Sequence, residues 1–172
     1  ANFENRLKQL LEDEEPAIWR QAAEILSSRP TEFAAKSLLA RLDAETDRVQ
    51  ATYLARCIAN MAWTLSSENH VRALAFLEEA SGWGGNVSYA GWIQTMFDVH
   101  LRAAEKDEWA PLANEGKLGP RTLATIIARA EPEVIEALVP ALRTAFAAIG
   151  VDTEPAVAAA RRRATLSALG RD

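Results

Sequence analysis

Apolar residues recur along nearly the whole chain at the three- and four-residue spacing of one α-helix face, and this pattern constrains the fold most. One stripe passes through Ile18, Ala22 and Leu26, and a longer one runs from Tyr89 to Ala104. Alternating patterns typical of β-strands are nearly absent. The sequence therefore predicts an all-α fold of about nine helices.

Helix starts are marked by proline at the first helical position and by short polar side chains that can cap a helix N-terminus. The predicted starts are Pro16, Thr31, Asp47, Ser66 or Ser67, Ser88, Asp107, Pro120, Pro132 and Thr153. Pro140 lies inside an apolar stripe and should kink or divide its helix. The connections are short, which favours antiparallel helical hairpins.

The length of 172 residues and the apolar fraction of 49% fit one domain, spanning residues 1–172. A formal net charge of −5 disfavours binding of nucleic acid or anionic lipid by the surface as a whole. Cys57 is the only cysteine, so an internal disulfide is excluded. No apolar run approaches the ~20 residues that cross a bilayer. We expect a cytoplasmic location and no membrane partner.

A weak internal repeat lies in the N-terminal third. The pattern of residues 18–26 aligns with that of residues 49–57, and the segment "AAKSLLARLDAETDRV" (residues 34–49) lies between them. Over residues 14–62 this resembles short HEAT-type repeats, in which a "D-x-x-V-R-x-x-A-A-x-x-L" helix follows a leucine-rich helix. The arginine expected after the valine is Trp19 in the first copy and Gln50 in the second.

The resemblance implies a HEAT-like α-solenoid of stacked hairpins whose long surfaces bind partners. An irregular helical bundle is the alternative, because any two amphipathic helices of similar length align comparably well.

The side chains that most often carry chemistry give no catalytic pattern. His100 lies on an apolar stripe and is interpreted as a core histidine with a hydrogen-bond partner, whereas His70 should be exposed in a first helical turn. Cys57 also lies on a core stripe, where a thiol is usually inert. Glu78 and Glu79 are interpreted as solvated. No metal-ligand or nucleophile motif is present, so we expect no metal, no cofactor and no catalytic residue, with a helical enzyme as the last alternative.

Tryptophans supply the best candidate for recognition. In "SGWGGNVSYAGWIQ" (residues 81–94), Trp83 stands in a glycine-rich break between two helices. Its side chain either folds back over the hairpin or is available to bind a partner. Trp92 should belong to the core stripe, and the helices of Trp19 and Trp63 can bury those side chains. The candidate partner- or ligand-binding residues are Trp83, Asn86, Tyr89, Trp92 and His100.

These observations favour a non-catalytic scaffold, adaptor or regulatory domain that binds another protein. The first alternative is a small-molecule or peptide pocket lined by Trp83, Tyr89, Trp92, Met96 and His100. The second is a nucleic-acid-binding module that uses Arg161, Arg162 and Arg163. Three consecutive arginines spread over about 200° of a helix, which disfavours that reading relative to a solvated helix end.

Overall fold

The computed structural model describes residues 2–83, 87–103 and 109–170, and every regular element within these ranges is helical. The helices are α1 (Asn2–Leu11), α2 (Pro16–Ser28), α3 (Glu32–Ala44), α4 (Arg48–Asn60), α5 (Ser67–Ser81), α6 (Val87–Ala103), α7 (Trp109–Asn114), α8 (Pro120–Ile127), α9 (Pro132–Ala147) and α10 (Glu154–Ala168). A single 3₁₀ turn, Ala62–Thr64, follows α4. The all-α prediction is confirmed.

Local side-chain chemistry sets several of the helix starts. The Thr31 hydroxyl accepts a hydrogen bond from the backbone N–H of Ala34 at the start of α3. An Asp47 carboxylate oxygen accepts the N–H groups of Val49 and Gln50 at the start of α4. Both side chains satisfy backbone donors that have no partner inside the helix. Helices α2, α8 and α9 begin at prolines, as predicted.

Two features differ from the sequence prediction. Helix α1 was not predicted, although Leu7 and Leu11 are spaced four residues apart and both are buried. Pro140 does not divide its helix, because α9 continues from Pro132 to Ala147. Pro140 is exposed. On the solvent side of a helix, backbone carbonyls can tilt outwards, so the missing N–H costs less there.

Contacts divide the chain into two compact units, which we call unit 1 (residues 1–77 and 83–104) and unit 2 (residues 78–82 and 105–172). In unit 1, α2 packs against α1, α3 and α4, and α6 packs against α4 and the 3₁₀ turn. Its core is built largely from leucine and alanine of α1–α4. In unit 2, α9 packs against α7, α8 and α10.

Within the described ranges, none of the helices has both the length and the apolar composition needed to cross a bilayer. The resemblance of residues 14–62 to HEAT-type repeats stays a prediction.

Candidate functional site

Trp83 folds back onto unit 1. Its ring meets the Phe76 ring edge-on at a centroid distance of 5.5 Å, and the Arg48 guanidinium lies 5.1 Å from its centroid. Arg48 also donates a hydrogen bond of 3.5 Å to the Trp83 carbonyl. Trp83 is only partly exposed and packs against the core cluster of unit 1. These contacts favour the first of the two roles considered for it, that of closing the hairpin.

The remaining candidate binding residues divide into three groups. Asn86 lies outside the described residues, as does the side chain of Tyr89, although the Tyr89 backbone belongs to α6. Met96 and His100 are buried in the core. Trp92 faces solvent instead.

The core stripe predicted for Trp92 is wrong, because its side chain is 49% exposed. The buried side of α6 carries Ile93, Met96, Phe97 and His100. Trp92 precedes Ile93 by one residue, so it is rotated from it by about 100° around the helix, beyond the edge of the buried arc.

The burial expected for Trp63 is also wrong, because its side chain is 69% exposed. Helix α4 ends at Asn60, and Trp63 lies in the 3₁₀ turn that follows. The α-helical period therefore no longer applies at this position. Trp19, by contrast, is buried as expected.

Arginines and aromatic rings alternate across the surface of α2, α4 and α6. The Arg20 guanidinium lies 5.7 Å from the Trp19 ring centroid and 5.3 Å from that of Tyr53. Arg56 continues the row at 5.2 Å from Tyr53 and 5.6 Å from Trp92. These separations are within the range of cation–π attraction.

We call the solvent-accessible part of this region the arginine–aromatic face. It comprises the exposed Val49, Arg56, Trp63 and Trp92 together with the half-buried Arg20 and Tyr53. Val49, Tyr53 and Arg56 are spaced four and three residues apart, which places them on one side of α4. We include Trp63 because its side chain is exposed and its 3₁₀ turn packs against α6, the helix that carries Trp92.

The polar groups of the face are held in place to different degrees. Arg20 donates two hydrogen bonds to the Gln50 side-chain oxygen, at 3.2 and 2.8 Å. The Tyr53 hydroxyl donates a 2.5 Å hydrogen bond to Glu24. Burial and this hydrogen bond raise the pKa of Tyr53, so the phenol stays protonated near neutral pH. Arg56 has no acceptor within hydrogen-bond distance among the described residues.

Sequence reasoning identified Trp92 as a candidate but missed Arg20, Tyr53, Arg56 and Trp63. The available signal was the solvent side of α4, where Val49, Tyr53 and Arg56 follow helical spacing. That signal is weak because apolar and cationic residues also occur singly on ordinary surfaces.

The two histidines meet inside unit 1. Their Nδ1 atoms are 3.0 Å apart, and their rings are nearly perpendicular. The prediction that His100 is a core histidine with a hydrogen-bond partner is confirmed, whereas the exposure predicted for His70 is wrong, since it is 2% exposed. Burial lowers the pKa of His100 to about 3, and His70 adds to this effect. Among the described residues, no three His, Cys, Asp or Glu side chains are grouped to hold a metal ion.

The arginine triplet is largely engaged within unit 2. Arg161 pairs with the Glu136 carboxylate through two hydrogen bonds of 2.7 and 2.8 Å. Arg163 is partly buried and donates to the Ala130 carbonyl. Arg162 is the exposed member for which no such partner occurs among the described residues. This arrangement does not present three uncommitted cations.

Unit 2 also contains an open cavity of about 410 Å³ beside α9. Its walls are mostly small side chains, namely Ala113, Asn114, Gly116, Leu118, Leu123, Pro140, Ala141, Thr144, Ala145 and Ala148. The volume is in the range of small-molecule sites.

Comparison with protein-family models, with curated proteins and with solved structures gives no match to this chain.

Proposed function

We propose that this chain is a non-catalytic helical domain that binds another protein through the arginine–aromatic face. The observation that carries the proposal is the exposure of two tryptophans of unit 1, Trp63 and Trp92, the second of which lies beside Arg56. Tryptophan, tyrosine and arginine are the residues most enriched among those that dominate binding energy in protein interfaces. Leaving large apolar rings in water forgoes the gain from burial, about 25 cal/mol per Å².

The buried polar residues support a non-catalytic role. Cys57 is 1% exposed, and burial raises the pKa of its thiol to about 11. The thiol is therefore protonated at neutral pH and is a poor nucleophile. His70 and His100 bind each other and are shielded from solvent.

Affinity capture from cells that express the chain tests the proposal. We compare wild type with the Trp63→Ser, Trp92→Ser double variant and with an Ile149→Ser, Leu169→Ser control. The control also removes two large exposed apolar side chains, which are 57% and 62% exposed and belong to unit 2. Quantitative mass spectrometry should show proteins that the tryptophan variant loses and the control keeps. The same captured set for all three chains would reject the proposal.

A second candidate function is the binding of a small apolar molecule in the unit 2 cavity. The support for it is a cavity whose size and small, mostly apolar lining suit such a ligand. Ligand-observed fluorine NMR with fluorobenzene should detect binding to wild type and none to an Ala145→Phe variant, whose ring would fill the space. Equal binding to both chains would reject this candidate.

A further inference from the structure

Arg56 is held between two aromatic rings. Its guanidinium carbon lies 5.2 Å from the Tyr53 centroid and 5.6 Å from the Trp92 centroid. Tyr53 is itself fixed by its 2.5 Å hydrogen bond to Glu24. An arginine that is already restrained loses less side-chain freedom when it binds a partner, so the cost of ordering it is reduced.

Arg56 is exposed, and no hydrogen-bond acceptor for its guanidinium occurs among the described residues. Stacking on a ring uses the faces of the planar guanidinium and leaves its N–H edges open. Since no acceptor reaches Arg56 among the described residues, these edges can receive a carboxylate in the two-pronged geometry that arginine favours.

The charges around the face also favour a partner that carries carboxylates. Arg20 lies beside Tyr53 and Arg48 begins α4, and neither forms an ion pair among the described residues. Two carboxylates of α2 and α4 are engaged by other donors, with Glu24 accepting from Tyr53 and Asp47 accepting from the N-terminus of α4. A partner that brings its own carboxylates would complement these cations.

Nucleic acid fits the face less well. Single-stranded nucleic acid needs aromatic faces on which bases can stack, together with several cations that follow the phosphates. Here the Arg56 guanidinium already lies within 6 Å of the Tyr53 and Trp92 centroids, so Trp63 is the ring of the face for which no cation contact occurs among the described residues.

We propose that the arginine–aromatic face takes an acidic peptide segment, in which a carboxylate binds Arg56 and a neighbouring apolar side chain packs on Trp63 and Trp92. This inference rests on the proposed protein-binding function and specifies the chemistry of the partner.

A series of short synthetic peptides tests it. The peptides share one leucine-containing sequence and carry none, two or four glutamates in place of glutamines, and fluorescence anisotropy measures their affinity for the full chain. From the glutamine peptide to the four-glutamate peptide, wild-type affinity should rise about tenfold, a factor that one well-formed charge-assisted pair can supply.

Three variants identify the arginine responsible. In the Arg56→Gln variant, peptide affinity should no longer depend on glutamate content. The Arg56→Lys variant should keep only part of this dependence, because lysine keeps the charge without the planar fork. Arg6→Gln is the matched control, since it removes an exposed arginine of α1 and gives the same net charge as Arg56→Gln. It should leave the dependence intact.

Several outcomes would overturn the proposal. They are a wild-type affinity that does not change with glutamate content, an Arg6→Gln effect as large as that of Arg56→Gln, full retention by Arg56→Lys, and tighter binding of an oligouridylate of the same length. A dimer of the chain that Arg56→Gln dissociates in sedimentation would make a second copy the occupant and would equally reject it. If the tryptophan variant still loses captured proteins while no glutamate dependence is seen, the proposed function stands and the acidic partner is rejected.

Discussion

At the scale of single residues, the contact between His70 and His100 limits how many protons the pair can hold. With the Nδ1 atoms 3.0 Å apart, one ring must donate an N–H and the other must accept it. Protonation of both rings would remove the acceptor nitrogen and place two positive charges side by side in the core. The folded chain therefore disfavours the doubly protonated pair, and burial disfavours a charge on His100, whereas the unfolded chain exposes two ordinary histidines.

This difference predicts acid sensitivity. His100 has an unfolded pKa near 6.5 and a folded pKa of about 3, so below pH 6.5 the unfolded state binds a proton that the folded state refuses. The stabilisation is complete above pH 6.5 and is lost as the pH falls towards 3. Near pH 5 the free energy of unfolding should fall by up to about 1.4 kcal/mol per pH unit.

Urea titrations between pH 7.5 and 5 measure the effect above the range where carboxylates dominate. A His100→Gln variant should show a flatter profile than wild type over the same range, whatever its stability at neutral pH. A wild-type urea midpoint that does not move between pH 7.5 and 5 would contradict the expectation.

The two histidines also show what could be predicted residue by residue. The apolar stripe around His100 predicted its burial, because the neighbours that cover it lie one turn away in sequence. The partner of His70 is 30 residues distant, and a polar first turn gives no sign that another helix covers it. The same limit explains the errors at Trp63 and Trp92, where a helical period was extended past the end of a helix or past the edge of its buried side.

At the scale of elements, α8 receives its cap from α5. The half-buried Glu78 carboxylate accepts the backbone N–H groups of Arg121 and Thr122, at 3.3 and 2.5 Å. Glu78 was predicted to be solvated, and that is wrong. A carboxylate at this position satisfies orphan donors and also interacts favourably with the helix dipole. Gly119 makes room for it, since an added Cβ would lie 2.5 Å from the Glu78 carboxyl carbon.

Gly119→Ala should therefore displace the cap and lower the free energy of unfolding by about 1 kcal/mol, the usual value of an N-cap. Glu78→Ala should cost a similar amount. The double variant should cost little more than either single change, because both remove the same interaction. Urea unfolding of the four chains gives the comparison.

Gly91→Ala is the control for a glycine change without a neighbour to displace. No described atom lies within 4 Å of the position an added Cβ would take in α6. This change should stabilise the chain by about 0.5–1 kcal/mol, because alanine favours a helix interior.

Additive losses of unfolding free energy for Gly119→Ala and Glu78→Ala would show that the two residues act separately.

Elements were predicted best where their signals are local. Prolines and the caps at Thr31 and Asp47 lie within three residues of the groups they serve, so the helix starts could be read from the chain. The cap of α8 is Glu78, which lies more than 40 positions away, so no local sequence pattern predicts it. The arginine–aromatic face is likewise assembled from three helices and a 3₁₀ turn.

At the scale of the whole molecule, contacts separate into two units although the sequence predicts one domain over residues 1–172. Helix α5 contributes residues 67–77 to unit 1 and residues 78–81 to unit 2. A helix is a cooperative element, so a segment shared in this way favours joint unfolding. We expect a single cooperative transition for the full chain.

Calorimetry with one variant in each unit tests this. Leu38→Ala empties a fully buried site in unit 1 and should cost about 2–5 kcal/mol, while Gly119→Ala acts in unit 2. Both should lower the temperature of the same transition. Two transitions, each moved by only one of the variants, would contradict the single domain.

The labelling rate of Cys57 reports how often the surrounding part of unit 1 opens. Cys57 is the sole thiol, it lies 1% exposed on the inner side of α4, and burial raises its pKa to about 11. A thiol-specific dye at neutral pH can therefore label the chain only after this part of unit 1 opens. At high dye concentration, the labelling rate should stop rising and equal the opening rate itself. The lifetime of the closed state can thus be read from the native chain, with no engineered probe and no denaturant.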